Sequence, residues 1–383
     1  MQITEHIRYI GVEDADLDLF ESHYQVQEGV TYNSYLLLDE YPTIIDTVDP
    51  RKGDEWLDRL QEALQGSQPH YLVISHMEPD HSGNISRLLQ RYPDLKLVGN
   101  SKTFQMLPLY VENVPAERLI TVKEGDTLCL GRHTLEFHLA PMVHWPEVMV
   151  SFERTEGILF SADAFGTFGL FHSESPWENE ARRYYFNICG KYGPSVQMLL
   201  KKAAALPIRT ICPLHGPLLR SPLDRYLALY DCWSRYEPEE KGVLIACASI
   251  HGNTLRAAQA LRRMLEERGE KVVVHDLSRG DISAAVADAF RFDRTILAAC
   301  SYDGSVFPPM ADLLHTLQAK QFQHRRVALI ENGSWAPCAA RKMKEILSAM
   351  KDIHIADPVC TLRGTYKPAD RPSLEAIAEA MRG

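Results

Sequence analysis

From Val243 onward, strand-length apolar runs alternate with helix-length amphipathic runs, and that alternation leaves few folds open. Apolar strands are expected at 243–248, 271–277, 296–300, 327–330 and 358–362, with helices at 254–267, 309–318, 339–350 and 374–381. Strands joined through helices run parallel, and a parallel sheet covered by helices takes its ligand at the carboxyl ends of its strands. The charged stretch Glu237-Pro238-Glu239-Glu240-Lys241-Gly242 precedes this region and reads as a link. Ahead of the link the rhythm differs. Strand-like runs at 31–38, 43–46, 71–75, 96–98, 134–140, 148–152, 158–161 and 210–212 come in groups, with helical patterns at 54–64, 85–90, 195–205 and 223–236. Grouped strands with interrupting helices predict mixed α+β sheets with outer helices. A chain of 383 residues is too long for one ordinary core, so two domains are expected, 1–240 and 241–383.

Charge and cysteine usage narrow the function classes. The 41 basic and 51 acidic residues give a net charge of −10, which disfavours a nucleic-acid partner. Residues 1–20 carry Glu5, Glu13, Asp14, Asp16 and Asp18 and no apolar segment, and no run approaches membrane-span length, so a cytoplasmic protein without a membrane partner is expected. Eight cysteines, at 129, 189, 212, 232, 247, 300, 338 and 360, form no Cys-x-x-Cys pair. They read as reduced, mostly buried thiols and not as a thiolate metal site.

The densest chemistry lies in His76-Met77-Glu78-Pro79-Asp80-His81, directly after the apolar run Tyr71-Leu72-Val73-Ile74. Imidazole and carboxylate side chains together suit first-row transition metals, and the number of groups predicts two metals. A polar loop with a helix cap would account for Asp80 or Ser82 and leave two histidines and a glutamate unexplained. Further ligands are expected from later strand ends. His144 follows the run 134–140, Asp163 follows Ile158-Leu159-Phe160-Ser161-Ala162, and His215 lies in Cys212-Pro213-Leu214-His215-Gly216-Pro217. Any one of these alone is more often a solvated histidine or a turn-capping aspartate; as an ordered set they reinforce one another.

In the second region, Ser249-Ile250-His251-Gly252-Asn253-Thr254 connects the first strand to its helix. It can surround a phosphate with hydroxyls, backbone N–H groups and a helix N-terminus. It has neither a dinucleotide Gly-x-Gly-x-x-Gly nor a P-loop lysine. The next strand ends are Ser301-Tyr302-Asp303-Gly304-Ser305 and Asn332-Gly333-Ser334-Trp335.

The order His-x-Glu-x-Asp-His, distant His, distant Asp, final His resembles the metal-ligand order of the metallo-β-lactamase-like fold, with Glu78 where its hydrolases carry a second His. With the regular region that follows, the whole chain resembles a flavodiiron protein (A-type flavoprotein), including Gly29-Val30-Thr31-Tyr32-Asn33-Ser34-Tyr35. The implied fold is an α+β metallo-β-lactamase-like αββα sandwich followed by an α/β flavodoxin-like, doubly wound, parallel five-stranded sheet. The resemblance assigns His76, Glu78 and His144 to one iron, Asp80 and His215 to the other, and Asp163 as the bridge. His81 stands where the family's residue does not always reach the metal. Ser249, His251, Gly252, Asn253 and Thr254 resemble a flavodoxin FMN phosphate loop, with His251 in place of the usual Thr. Ser301, Tyr302, Asp303, Gly304, Asn332, Gly333, Ser334 and Trp335 would hold the flavin ring, although the loop 331–337 departs from the family's frequent form.

The resemblance further implies reduction of nitric oxide to nitrous oxide, of dioxygen to water, or both, at a diiron centre fed through FMN. Tyr192 and Trp145 are candidates for the pocket wall or proton-donor neighbourhood, with plain core packing as the alternative. Electrons would come from rubredoxin or a similar small carrier with its reductase. A head-to-tail homodimer would bring the FMN of one subunit to the irons of the other, with pairing of dimers into tetramers left open. Two other classes compete: a zinc-dependent hydrolase of the lactamase-like fold with an appended flavodoxin domain, and a non-catalytic electron-transfer module.

Overall fold

The computed structural model describes residues 1–173 and 175–383, which separate into two compact units. The first comprises Met1–Tyr185 and Pro194–Asp231, and the second Phe186–Gly193 and Cys232–Gly383. The units divide at 231/232, ahead of the charged link. The link cannot serve as a free connector because Glu240 already opens the strand Glu240–Ala248. The segment 186–193 belongs to the second unit because Phe186 stacks on Phe290, ring centroids 4.1 Å apart and 7° from parallel.

The first unit contains two six-stranded sheets. One runs in the order Ile7–Tyr9, Tyr35–Leu37, Thr43–Ile45, Tyr71–Val73, Lys96–Asn100, Leu119–Val122. The other runs Thr127–Cys129, Thr134–Leu139, Met149–Glu153, Ile158–Phe160, Thr210–Cys212, Leu219–Arg220. Alternation along each strand sends one side chain in two to the shared interior. Ile45, Val73 and Val98 of the first sheet thereby pack with Phe137, Met149, Phe160 and Cys212 of the second in one buried cluster. The helix Gly53–Leu64 buries Trp56, Leu57, Leu60 and Leu64 on the single face that their three- and four-residue spacing defines.

The second unit is a parallel sheet in the order Val272–Asp276, Glu240–Ala248, Phe292–Tyr302, Arg325–Asn332, the arrangement of a doubly wound fold. The expected fifth strand at 358–362 is present as the shorter Cys360–Leu362, and a strand ahead of the expected range, Ile353–Ile355, also pairs parallel with Arg325–Asn332. Pro358 lies between them and cannot donate to a ladder. Among the described residues, four helices absent from the sequence reading are present: the short Pro79–Ser82 and Ser101–Met106, and the longer Trp177–Ile188 and Ile282–Arg291. The last buries Ala285, Val286, Ala289 and Phe290, a face built largely of alanine and hence weak as a hydrophobic signal. No helix among the described residues is long and apolar enough to cross a membrane.

Candidate metal centre and second-unit cleft

Four chain segments meet at the carboxyl ends of strands from both sheets of the first unit. His76 follows Tyr71–Val73; Glu78 caps the short helix Pro79–Ser82, which carries Asp80 and His81. His144, Asp163 and His215 follow Thr134–Leu139, Ile158–Phe160 and Thr210–Cys212. Their ligand atoms form two groups, His76, Glu78, His144 and Asp163 in one, and Asp80, His81 and His215 in the other.

Asp163 faces both groups. Its Oδ2 lies 3.3 Å from His76 Nε2 and 3.1 Å from His144 Nε2, and Glu78 Oε2 is 3.2 and 3.1 Å from the same two nitrogens. Its Oδ1 lies 3.4 Å from His81 Nε2 and 3.7 Å from His215 Nε2. Asp80 Oδ2 closes the second group at 3.3 and 3.4 Å from those histidines. His81 therefore points into the second group. Its Nε2 stands 3.0 Å from His215 Nε2, while His215 Nδ1–H is already donated to the Thr31 carbonyl at 2.7 Å.

The loop carrying His215 is clamped by the 29–35 segment. Asn33 Nδ2 donates to the Pro213 and Gly216 carbonyls, both at 2.8 Å, Tyr35 hydroxyl donates to Pro213 at 2.5 Å, and Gly216 N–H donates to Thr31 Oγ1 at 2.6 Å. Gly216 has φ +79°, and a Cβ there would meet Thr167 Oγ1 at 2.2 Å, so both backbone and space demand glycine. Asp46, Met142, Ala162 and Phe165 are non-glycine residues at positive φ around these loops. Such strained positions gather where a site over-determines its backbone.

The buried groups set one another's charge states. Burial alone would depress the His144 imidazole; the Asp163 and Glu78 carboxylates override it and hold it at about 9. Burial pushes the Glu78 carboxyl up, and the His144 and His76 imidazoles reverse that and hold it at about 2. Asp163 is buried too, and the surrounding histidines keep its carboxyl far below the usual range. Glu78 and Asp163 thus raise the proton affinity of the His144 imidazole between them. Asp80 Oδ1 and His81 Nδ1 are buried and find no hydrogen-bond partner among the described residues. A pair of divalent cations fits this donor set, neutralising the carboxylates and taking the converging imidazole lone pairs.

Trp145 sets its ring edge against His76, with centroids 5.1 Å apart and planes at 89°. Tyr192 lies on the turn Gly190–Tyr192 of the second unit, its ring 5.7 Å from Lys191 Nζ. Glu147, absent from the sequence reading, is fully buried and accepts the Nδ1–H of His76 at 2.8 Å. Nothing in Trp145-Pro146-Glu147 marks that role; only the partner rule for ligating histidines could have prompted a search for it.

In the second unit, a cleft of about 350 Å³ opens at the strand ends. Of the residues expected there, Ser249, His251, Asn253, Thr254, Ser301, Tyr302, Asp303, Gly304, Asn332, Gly333, Ser334 and Trp335 line it, joined by Ile250, Cys300, Ala336, Cys338 and Gly364. Gly252 is not in the lining; it caps the helix Asn253–Glu266 at φ +77°, turning the loop so that the helix N-terminus faces the cleft. Asn332 braces the floor, donating to the Gly364 carbonyl at 2.8 Å and accepting from Gly364 N–H at 2.9 Å. Trp335 is 89% exposed and Tyr302 44% exposed at the rim. Phosphate donors at a helix N-terminus, with large aromatics left open to solvent beside them, suit a phosphorylated planar ring system.

Comparison with known proteins completes the picture. A family model described as "ODP family beta lactamase" matches residues 30–216. Diflavin flavoprotein A 1 of Synechocystis is 34% identical over 73% of this chain and 50% of its own length. The anaerobic nitric oxide reductase flavorubredoxin of Aeromonas hydrophila is 25% identical over 99% of this chain and 77% of its own. Among solved structures, rubredoxin oxygen:oxidoreductase of Desulfovibrio gigas superposes with TM-score 0.92 at 24% identity, covering 100% of this chain and 97% of that one. The Giardia intestinalis flavodiiron protein gives 0.90 at 23% identity, covering 99% and 94%. The chain belongs to the flavodiiron proteins. This flavodiiron chain spans between half and two thirds of the length of the diflavin relatives it matches. Its fold is the metallo-β-lactamase-like and flavodoxin-like pair that the sequence implies.

Proposed function

We propose that this chain is a flavodiiron oxidoreductase that reduces nitric oxide to nitrous oxide, dioxygen to water, or both, with electrons relayed through FMN. The observation that supports it most is the divided carboxylate of Asp163, with one oxygen toward each ligand group. His76, Glu78 and His144 would hold one iron, Asp80, His81 and His215 the other, and Asp163 would join them. FMN would lie in the second-unit cleft, its phosphate at Ser249, His251, Gly252, Asn253 and Thr254. Its ring would rest between the 301–304 and 332–335 loops.

When bound, FMN would supply electrons singly from a two-electron store, and an iron pair would supply the redox chemistry for a diatomic substrate. The chain's own work is placement. Asp163 sets the spacing of the two positions, the 29–35 segment holds His215 in rotation, and Trp145 walls the His76 side. Trp145 and Tyr192 are proposed as the pocket wall and proton-donor neighbourhood.

No Cys-x-x-Cys pair supplies a thiolate iron within this chain, so a rubredoxin-like carrier with its reductase is the electron source. A head-to-tail homodimer in the cytoplasm completes the proposal. Relatives named as a nitric oxide reductase flavorubredoxin and a rubredoxin oxygen:oxidoreductase support reduction and weigh against the zinc-hydrolase alternative. The test is anaerobic reduction of the iron- and flavin-loaded protein followed by mixing with nitric oxide or dioxygen in turn. Flavin reoxidation with nitrous oxide or water as product is expected. Indifference to both gases, or ester or amide hydrolysis by a zinc-loaded form, would contradict the proposal.

A further inference from the structure

We infer that the two metal positions hold their ions unequally, the His76–Glu78–His144 position more tightly, and that Glu147 is the positioning residue responsible. The inference rests on the two-metal reading above and goes beyond it by ranking the positions.

The outer faces of the ligating histidines differ in kind. His76 gives its Nδ1–H to Glu147 Oε1 at 2.8 Å, and both side chains are 0% exposed. The same oxygen accepts Met77 N–H at 2.8 Å, and the Glu147 carbonyl is itself held by Asn100 Nδ2 at 2.5 Å. Asp46 Oδ1 accepts the two preceding N–H groups, of Ser75 at 2.8 Å and His76 at 3.3 Å. Three successive backbone N–H groups and one ring N–H are thus fastened by two carboxylates outside both ligand groups. Behind the second position, no carboxylate among the described residues accepts an imidazole N–H, although the Asp46 charge is felt by His81. His215 donates to the neutral Thr31 carbonyl, and His81 Nδ1 is buried and finds no hydrogen-bond partner among those residues.

A buried carboxylate behind an imidazole fixes its tautomer and rotation and makes its other nitrogen a stronger donor. A carbonyl fixes the tautomer with less added basicity, and an empty face does neither. The His76 position is therefore assembled before its ion arrives, whereas the His81–His215 position must organise around its ion.

The experiment uses the holoprotein with its iron counted at two per chain, challenged anaerobically with a ferrous chelator such as ferrozine. Iron is expected to leave in two equal phases separated by at least about tenfold in rate, the scale on which outer-shell partners act. In Glu147→Gln the amide oxygen still accepts Met77 N–H, so the loop clamp survives while the charge behind His76 is lost. Its slow phase should accelerate about 10- to 100-fold toward the fast phase. The fast phase and the flavin content should stay as in the unaltered protein. One common rate in the unaltered protein overturns the inference, whatever the variant does. A slow phase unmoved by Glu147→Gln overturns the role of Glu147. Failure to bind two metals per chain before the chelator is added overturns the two-metal reading itself, a separately visible result.

Discussion

His144 shows how much the centre depends on charge it does not itself supply. Its imidazole is held at about 9 by Asp163 and Glu78, above the ordinary value of about 6.5. A group whose pKa is raised by folding contributes stability that is complete below its unfolded value and is lost as pH climbs through its folded value. The metal-free chain should therefore lose melting temperature between about pH 6.5 and 9. The iron-loaded chain should stay flat across that window because metal has replaced the protons. Thermal melts of both forms at several pH values check this; parallel curves would be the contrary result. Residues of this kind were legible in the sequence because each is a chemically distinctive side chain directly after an apolar strand. Glu147 was not, since its function appears only when the chain after Thr134–Leu139 folds back beneath His76. The orientation of His81 was likewise open until its ring was seen facing His215.

Two elements carry predictions of their own. Asn332, at the end of the strand Arg325–Asn332, ties Gly364 to the cleft floor and donates to Thr254 Oγ1 at 3.3 Å. Asn332→Ala leaves the Gly364 N–H and carbonyl without these partners, at a cost of about 1–3 kcal/mol. FMN affinity should fall on the order of tenfold, since about 1.4 kcal/mol is a factor of ten. Flavin fluorescence titration reads it, and an unchanged affinity would count against the brace. The helix Ile282–Arg291 is anchored by Phe290, which stacks on Phe186 and meets Phe322 edge-on at 5.4 Å. Phe290→Ala should destabilise the second unit by about 3–5 kcal/mol, measured by urea unfolding followed through the flavin. This helix escaped the sequence reading because small residues fill its buried face, whereas the parallel strands were legible as continuous apolar runs. The division of the sheet edge was not, because Ile353–Ile355 is a three-residue strand ahead of the expected segment, separated by Pro358 from Cys360–Leu362.

At the scale of the molecule, the chain is expected to accept electrons and not to collect them from a nicotinamide. NADH oxidation by the isolated protein should be slow and should rise at least about tenfold when a rubredoxin-type carrier and its reductase are added, because no thiolate iron site within it can take the carrier's place. Rapid turnover with NADH alone would contradict that division of labour. The two units differ in how their layout could be read. The second repeats one simple strand–helix rule, while the first needs two six-stranded sheets to converge on one edge, which only long-range packing decides. The most direct test of the central claim is anomalous diffraction at the iron edge from crystals of the iron-loaded protein. Two peaks are predicted, one beside Asp163 Oδ2 among His76, Glu78 and His144, the other beside Oδ1 among Asp80, His81 and His215. A single peak, or signal at the zinc edge alone, would contradict the account.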